Sequence, residues 1–245
     1  MNTVRNLLLA LFLIQPLTGC ALSGGPVEGR VLDYKTGEPI PGAIVVARWL
    51  ATIVGSGQGT CVQVETAVSD GKGKYRIASW QRTPPALILG AGLELDVYKP
   101  GSESVHASVV YAGLEPNKWI VYRRDPPNEI LHTFPDEASA KAATHPEDVY
   151  LKVFTGSASA RFEYLRGRVV SGMSCHGAGT SERNRYPLIR AAFQEAKPLA
   201  VTKEQQKSLG LLRDIALSTW LALPNFDTPT PKNPVYPEQV LKDLE

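Results

Sequence analysis

Apolar residues follow one another along this chain in three different rhythms, and each rhythm predicts a different kind of element. The first is an unbroken apolar run from Leu7 to Ile14 behind the single basic residue Arg5. A run of that length cannot cross a hydrocarbon core, which needs about 20 apolar residues, so it reads as the core of an export signal. The second extends from Val27 to about Tyr122, where Val, Ile, Thr and Tyr come in short stretches broken by Gly, Pro and Asp. Such spacing predicts short antiparallel strands in a sandwich. The third begins at Ala158, where Ala158, Phe162, Leu165 and Val169 recur at helical spacing. Two further stripes follow, Leu188, Ile189, Ala192, Phe193 and Ala196 after Pro187, and Leu209, Leu212, Ala216 and Trp220.

The predicted fold class is therefore α+β, an antiparallel β-sandwich over 27–123 followed by a mainly helical region over 158–224. Residues 124–157, with Asp125-Pro126-Pro127-Asn128, read as a linker, and 225–245, with its alternating Thr and Pro, as an extended tail. Local chemistry sharpens several boundaries. Asp33 can accept from the backbone two residues on, and Gly37 can take the positive φ that closes the Asp33–Gly37 turn. Pro41-Gly42 suits the centre of a type II turn, and Asp70-Gly71-Lys72-Gly73 reads as a hairpin turn returning through Lys74–Ala78, with Tyr75 and Ile77 inward. Thr202 and Gln205 form a capping-box pattern, Pro187 suits a first helical turn, and His145-Pro146-Glu147-Asp148 reads as another helix start.

The signal ends in Leu17-Thr18-Gly19-Cys20, which resembles the lipobox of bacterial lipoproteins. That resemblance implies removal of 1–19, acylation of Cys20, and a lipidated N-terminus and tether over 20–26. Several acyl chains at about 0.8 kcal/mol per buried methylene hold a protein on a membrane without a spanning helix. Ala21 after the cysteine, in place of Asp, implies the periplasmic face of the outer membrane.

A second resemblance is carried by Gly29-x-Val31-x-Asp33-x-x-Thr36-Gly37-x-Pro39-Ile40-x-Gly42-Ala43-x-Val45, then Ser69-Asp70-x-x-Gly73-x-Tyr75 and Tyr98-Lys99-Pro100-Gly101. In order and spacing these are similar to the carboxypeptidase regulatory-like domain, a transthyretin-like β-sandwich, with Ser69 where Thr is common. The resemblance implies a fold and an accessory role beside other proteins. It does not imply a peptidase, since none of His106, His132, His145 and His176 has Glu at the spacing of a zinc carboxypeptidase's ligand pair.

Lys and Arg nearly balance Asp and Glu, with a formal net charge of +2, so charge gives no argument for nucleic acid as a partner. Arg123-Arg124 and Arg183 with Arg185 read as solvated faces. With Cys20 spent on lipid, Cys61 and Cys175 remain, and export places them where disulfides persist. A bond between them is expected, closing a loop for which the chain-entropy model gives about 4–5 kcal/mol.

The segment Ser171–Gly179 holds Ser174, Cys175 and His176 among glycines, but its spacing departs from a nucleophile elbow and adjacent side chains rarely aim at one another. The scattered histidines give no metal-ligand set, and no cofactor is expected. The glycines of Gly55–Gly59 lack the Gly-Lys-Ser/Thr ending of a phosphate loop.

The leading expectation is a non-enzymatic, lipid-anchored periplasmic accessory or structural protein. Its expected partners are the membrane, through the lipid, and an envelope protein. The alternatives are a glycan-binding module stacking sugars on Trp80 or Trp119, and a tethered hydrolase using Cys175 or Ser174.

Overall fold

A computed structural model describes residues 22–55, 59–83, 88–105, 107–108, 119–123, 130–134, 147–168, 179–222 and 234–245. The fold is α+β, with the strands concentrated in the N-terminal part and the helices in the C-terminal part. Leu22–Gly24 (β1) pairs antiparallel with Trp80–Arg82 (β6). One sheet has the order β5-β2-β12-β8, from Lys74–Ile77, Val27–Asp33, Val149–Val153 and Ser102–Val105. A second has the order β4-β3-β7, from Gly59–Val68, Ile44–Ile53 and Ile88–Tyr98. A third small ladder joins Ala107–Ser108 (β9), Trp119–Arg123 (β10) and Ile130–Phe134 (β11). The helices are Ala158–Gly167 (α1), Tyr186–Ala196 (α2), Lys203–Leu221 (α3) and Glu238–Asp243 (α4), with a 3₁₀ helix at Gly179–Arg185 ahead of α2.

The middle strand β3 explains the layering. Its alternate residues Val45, Ala47, Trp49 and Ala51 enter a core shared with Val31 of β2, Tyr75 and Ile77 of β5 and Leu151 of β12. The intervening residues Ile44, Val46 and Leu50 point the other way, into a core with Phe162, Leu165, Leu188, Ile189 and Leu212 of the helices. A strand apolar on both faces is buried on both faces. The helices therefore pack over the outer face of the β4-β3-β7 sheet as well as on one another.

Several local expectations are met atom by atom. Asp33 Oδ1 accepts from Lys35 N and Thr36 N, each at 2.9 Å, and Gly37 and Gly42 have φ of 70°. The Thr202 hydroxyl accepts from Gln205 N at 3.2 Å, and the Gln205 side chain accepts from Thr202 N at 3.0 Å, which completes the capping box of α3. Pro187 stands in the first turn of α2.

Others are corrected. The turn at Asp70–Gly73 forms, with Asp70 accepting from Lys72 N and Lys74 N, but it is not a hairpin. It carries the chain from β4 in one sheet to β5, which pairs with β2 in the other, so Tyr75 and Ile77 still reach the shared core. Inside the stretch read as a linker, 124–157, lie β11 and β12, and β12 runs parallel to β2 and antiparallel to β8. The acids after His145 lead into a strand, not a helix: buried Asp148 accepts from Arg30 N at 2.9 Å and pairs with the Arg30 guanidinium, joining the entry of β12 to β2. In the region read as a tail, α4 and its C-cap residue pack Val240 and Leu244 into the helical core.

Gly29 shows why the motif at the start of β2 needs a glycine. A Cβ there would lie 2.3 Å from the Glu147 carbonyl oxygen and 2.7 Å from the Tyr75 hydroxyl. That hydroxyl donates to the same carbonyl, so Gly29 and Tyr75 together seat the chain entering β12.

Candidate functional site

The helix-facing side of β4-β3-β7 is not uniformly apolar. Register places Arg48 of β3 beside Glu94 of β7, and Val46 beside Asp96. Ionised groups buried between two layers are stable only when paired and hydrogen-bonded, and each charged group on this face meets a group of opposite sign. Arg48 pairs with Glu94 at 2.9 Å. Arg168, at the C-cap of α1, pairs with Asp96 and lies over the Tyr164 ring at 5.7 Å. Burial, then the neighbouring Arg48, pushes the Arg168 guanidinium down to about 10.

At one edge of this layer, Arg161 of α1 grips Glu195 of α2 with two bonds, Nε to Oε1 at 2.7 Å and Nη2 to Oε2 at 2.9 Å. Its Nη1 donates to the Ser102 carbonyl at 2.7 Å, and its guanidinium lies 5.0 Å from the centres of both the Phe154 and Tyr164 rings. Glu195 also accepts from Tyr98 Oη at 2.5 Å and from Gly101 N at 3.0 Å. Burial alone would raise the Glu195 carboxyl; Arg161, Tyr98 and Gly101 outweigh it and hold the carboxyl below its ordinary value. Burial, then the bond to Glu195, raises the Tyr98 hydroxyl. The Tyr98-Lys99-Pro100-Gly101 stretch is thus fastened to both helices.

At the other edge, the 3₁₀ helix is fastened to β4. Val64 N donates to Ser181 Oγ at 3.2 Å, Asn184 Nδ2 donates to the Val64 carbonyl at 3.0 Å, and Thr66 Oγ1 donates to the Asn184 carbonyl at 2.5 Å. Within it, Glu182 pairs with Arg185. Burial pushes the Glu182 carboxyl up to about 7, against the pull of Arg185 and then Arg48. Arg48 Nε, Arg185 Nε and Nη1, and Glu182 Oε2 are buried without a hydrogen-bond partner. These orphans carry both signs, and the charged groups of the layer are engaged with one another across it and within the 3₁₀ helix. The layer is suited to holding helices on a sheet.

The residues expected to carry function fall as follows. Cys61 is buried in the helical core and is disulfide-bonded. Cys20, Ser174, Cys175 and His176 lie outside the described residues, as do His106, His145 and the side chains of His132, Trp119 and Arg123. Trp80 is buried, with its ring 5.3 Å from that of Trp49 in an edge-on contact, so it is no stacking platform for a sugar. Arg185, read as part of a solvated face, is 3% exposed, while Arg183 lies over the Trp220 ring and donates to the Trp220 carbonyl at 2.7 Å. Sequence reasoning does not single out Arg48, Asp96, Arg161, Arg168, Glu182 and Glu195. The available signal is charge interrupting apolar alternation on β3 and β7, and Arg161 beside the Phe162–Leu165 stripe.

Among the described residues no group of three or more His, Cys, Asp and Glu side chains could hold a metal ion. Among them, too, no helix is long and apolar enough to cross a membrane. A shallow depression of about 340 Å³ is lined by Phe193, Lys197, Leu209, Arg213 and the C-terminal Leu244 and Glu245, and no cluster of catalytic groups lines it.

No family model matches the chain, and no curated protein does. Among solved structures, a 9R-lipoxygenase from Cyanothece PCC8801 aligns over 70% of this chain and 24% of its own, at 14% identity and a TM-score of 0.23. A superposition that loose carries no argument about fold or activity.

Proposed function

We propose that this chain is a lipid-anchored envelope protein of the periplasm, non-enzymatic, in which a regulatory-like β-sandwich with a helical cap presents a surface to a protein partner. The observation that carries the reading is the start of β1 at Leu22, two residues after the lipobox cysteine. An export-and-acylation signal leads straight into the folded body. The regulatory-like assignment is supported by what its motif residues do: Gly37, Gly42 and Gly73 take positive φ at turns, while Val31, Val45 and Tyr75 fill the core shared by the two sheets. The non-enzymatic assignment is supported by the perturbed groups Glu182, Glu195 and Arg168, which are engaged in ion pairs within the 3₁₀ helix, between α1 and α2, and between α1 and β7.

The partner of Cys61 in this reading is Cys175. The 3₁₀ helix begins four residues after Cys175 and packs on β4, the strand that carries Cys61. The side chain of Cys61 belongs to the same helix-facing core.

In-cell crosslinking of the full-length protein, beside a Cys20→Ala form, tests the function. A recurrent envelope protein captured by the full-length form and lost with Cys20→Ala is the expected result. Capture of no specific partner by either form overturns it.

A further inference from the structure

We propose that the end of the fold from which the lipid-bearing N-terminus emerges rests on the bilayer surface, so that the protein stands end-on with its Asp33–Gly37 and Asp70–Gly73 turns directed away from the membrane. The inference rests on acylation of Cys20. An extended chain spans at most about 3.3–3.6 Å per residue, so the Cα of Cys20 lies within about 7 Å of that of Leu22. Leu22 is no part of a free tether. It pairs with Arg82 in β1-β6 and packs against the core shared by the sheets. The anchored end of the body therefore has no slack by which to stand off from the headgroups.

Topology identifies what else lies at that end. A short connection after Arg82 brings the chain into β7 at Ile88, whose register partner is Ile53, the last residue of β3, and Gly59 at the start of β4 is paired with Thr52. Leu22, Ile53, Val54, Gly55, Gly59 and Ile88 thus mark one end of the fold, and Val54 is 42% exposed there.

Among the described residues at this end the charged side chain is Arg82, the register partner of Leu22, and its guanidinium donates to the Val62 carbonyl. No charged residue lies between Cys20 and Val27, between Arg48 and Glu65, or between Arg82 and Glu94. The opposite end carries Asp33, Lys35, Glu38, Asp70, Lys72, Lys74 and Lys99. Seating charge against acyl chains is costly, and seating small apolar and hydroxyl-bearing residues there is not. Because Arg82 is engaged with the Val62 carbonyl and the described residues marking this end include no lysine, their contact does not depend on anionic headgroups, and salt should not release it.

The test uses full-length lipoprotein in vesicles of phosphatidylethanolamine and phosphatidylglycerol with brominated acyl chains. Val54→Trp and Lys72→Trp, both in exposed turns, are compared with the parent, and acylation of Cys20 is read separately by intact mass. The expected result is loss of the added emission at position 54, none at position 72, and no change in either at high salt. Acylated protein quenched equally, or at neither position, overturns the orientation. Emission at 54 that shifts to the blue without quenching means a protein occupant and also overturns it. An unacylated mass overturns the anchor itself, and the orientation with it.

Discussion

Arg161 and Glu195 face one another across the α1-α2 contact with two parallel hydrogen bonds of 2.7 and 2.9 Å, and their side chains also bond Tyr98, Gly101 and Ser102 where the chain passes from β7 to β8. Removing one partner leaves the other charged and buried. Glu195→Ala should destabilise the protein by about 3–5 kcal/mol, while the paired replacement Arg161→Met with Glu195→Leu should cost much less. Urea unfolding midpoints check this. A single-variant loss under about 1 kcal/mol would show that the pair is already solvated.

Glu182 should make stability fall as pH rises between about 4.5 and 7. Its folded carboxyl is raised to about 7, so in that window the folded state holds a proton that the unfolded state has released. Each tenfold difference in proton affinity between the two states is worth about 1.4 kcal/mol, so the loss across the window approaches about 3 kcal/mol. Glu182→Gln should flatten the slope whatever it does to absolute stability. Unfolding free energies at pH 5 and pH 8 for both proteins decide it, and an equal slope in the two removes Glu182 as the cause.

Gly29→Ala puts a methyl group against the Glu147 carbonyl and the Tyr75 hydroxyl, both part of how the chain enters β12. The expected loss is about 1–3 kcal/mol, the usual range for overpacking. Gly71→Ala, where a Cβ would meet nothing, is the control. Equal melting temperatures for the two variants would refute the contact.

Cys61 and Cys175 should both resist alkylation in denaturant without reductant, and both should react after reduction. Reduction should also lower the melting temperature, since the closed loop exceeds a hundred residues and the chain-entropy model assigns it about 4–5 kcal/mol. One free thiol at Cys175 in the non-reduced protein would mean that Cys61 has another partner.

Legibility in the sequence tracks the range of the interaction. The Asp33 turn, the capping box of Thr202 and Gln205, the strand periods and the helical stripes depend on neighbours a few residues away, and these are readable. β12 is not, because Val149–Val153 is too short to show a period and gains its place only by pairing with β2 and β8. The partner of β5 is hidden for a related reason, since a good turn says that the chain reverses but not which sheet receives it. The ion-pair layer needs the β3-β7 register, which brings Arg48 to Glu94 and Asp96 near α1. Arg185 looks like surface because a charged residue is normally exposed, and its burial follows from the 3₁₀ helix being bound to β4.

The position of β12 also dictates when the protein can finish folding. Its partners β2 and β8 are synthesised long before it, and neither can complete the sheet until Val149–Val153 arrives between them. Pairings of such sequence separation are slow to find, because the entropy of closing a long loop is lost before any contact compensates. A chain stopped at the end of β10 would expose two unpaired strand edges, and open edges invite pairing with other chains. The first half is therefore expected to aggregate when expressed alone, and a nascent chain is expected to stay prone to such pairing until Val149–Val153 has emerged.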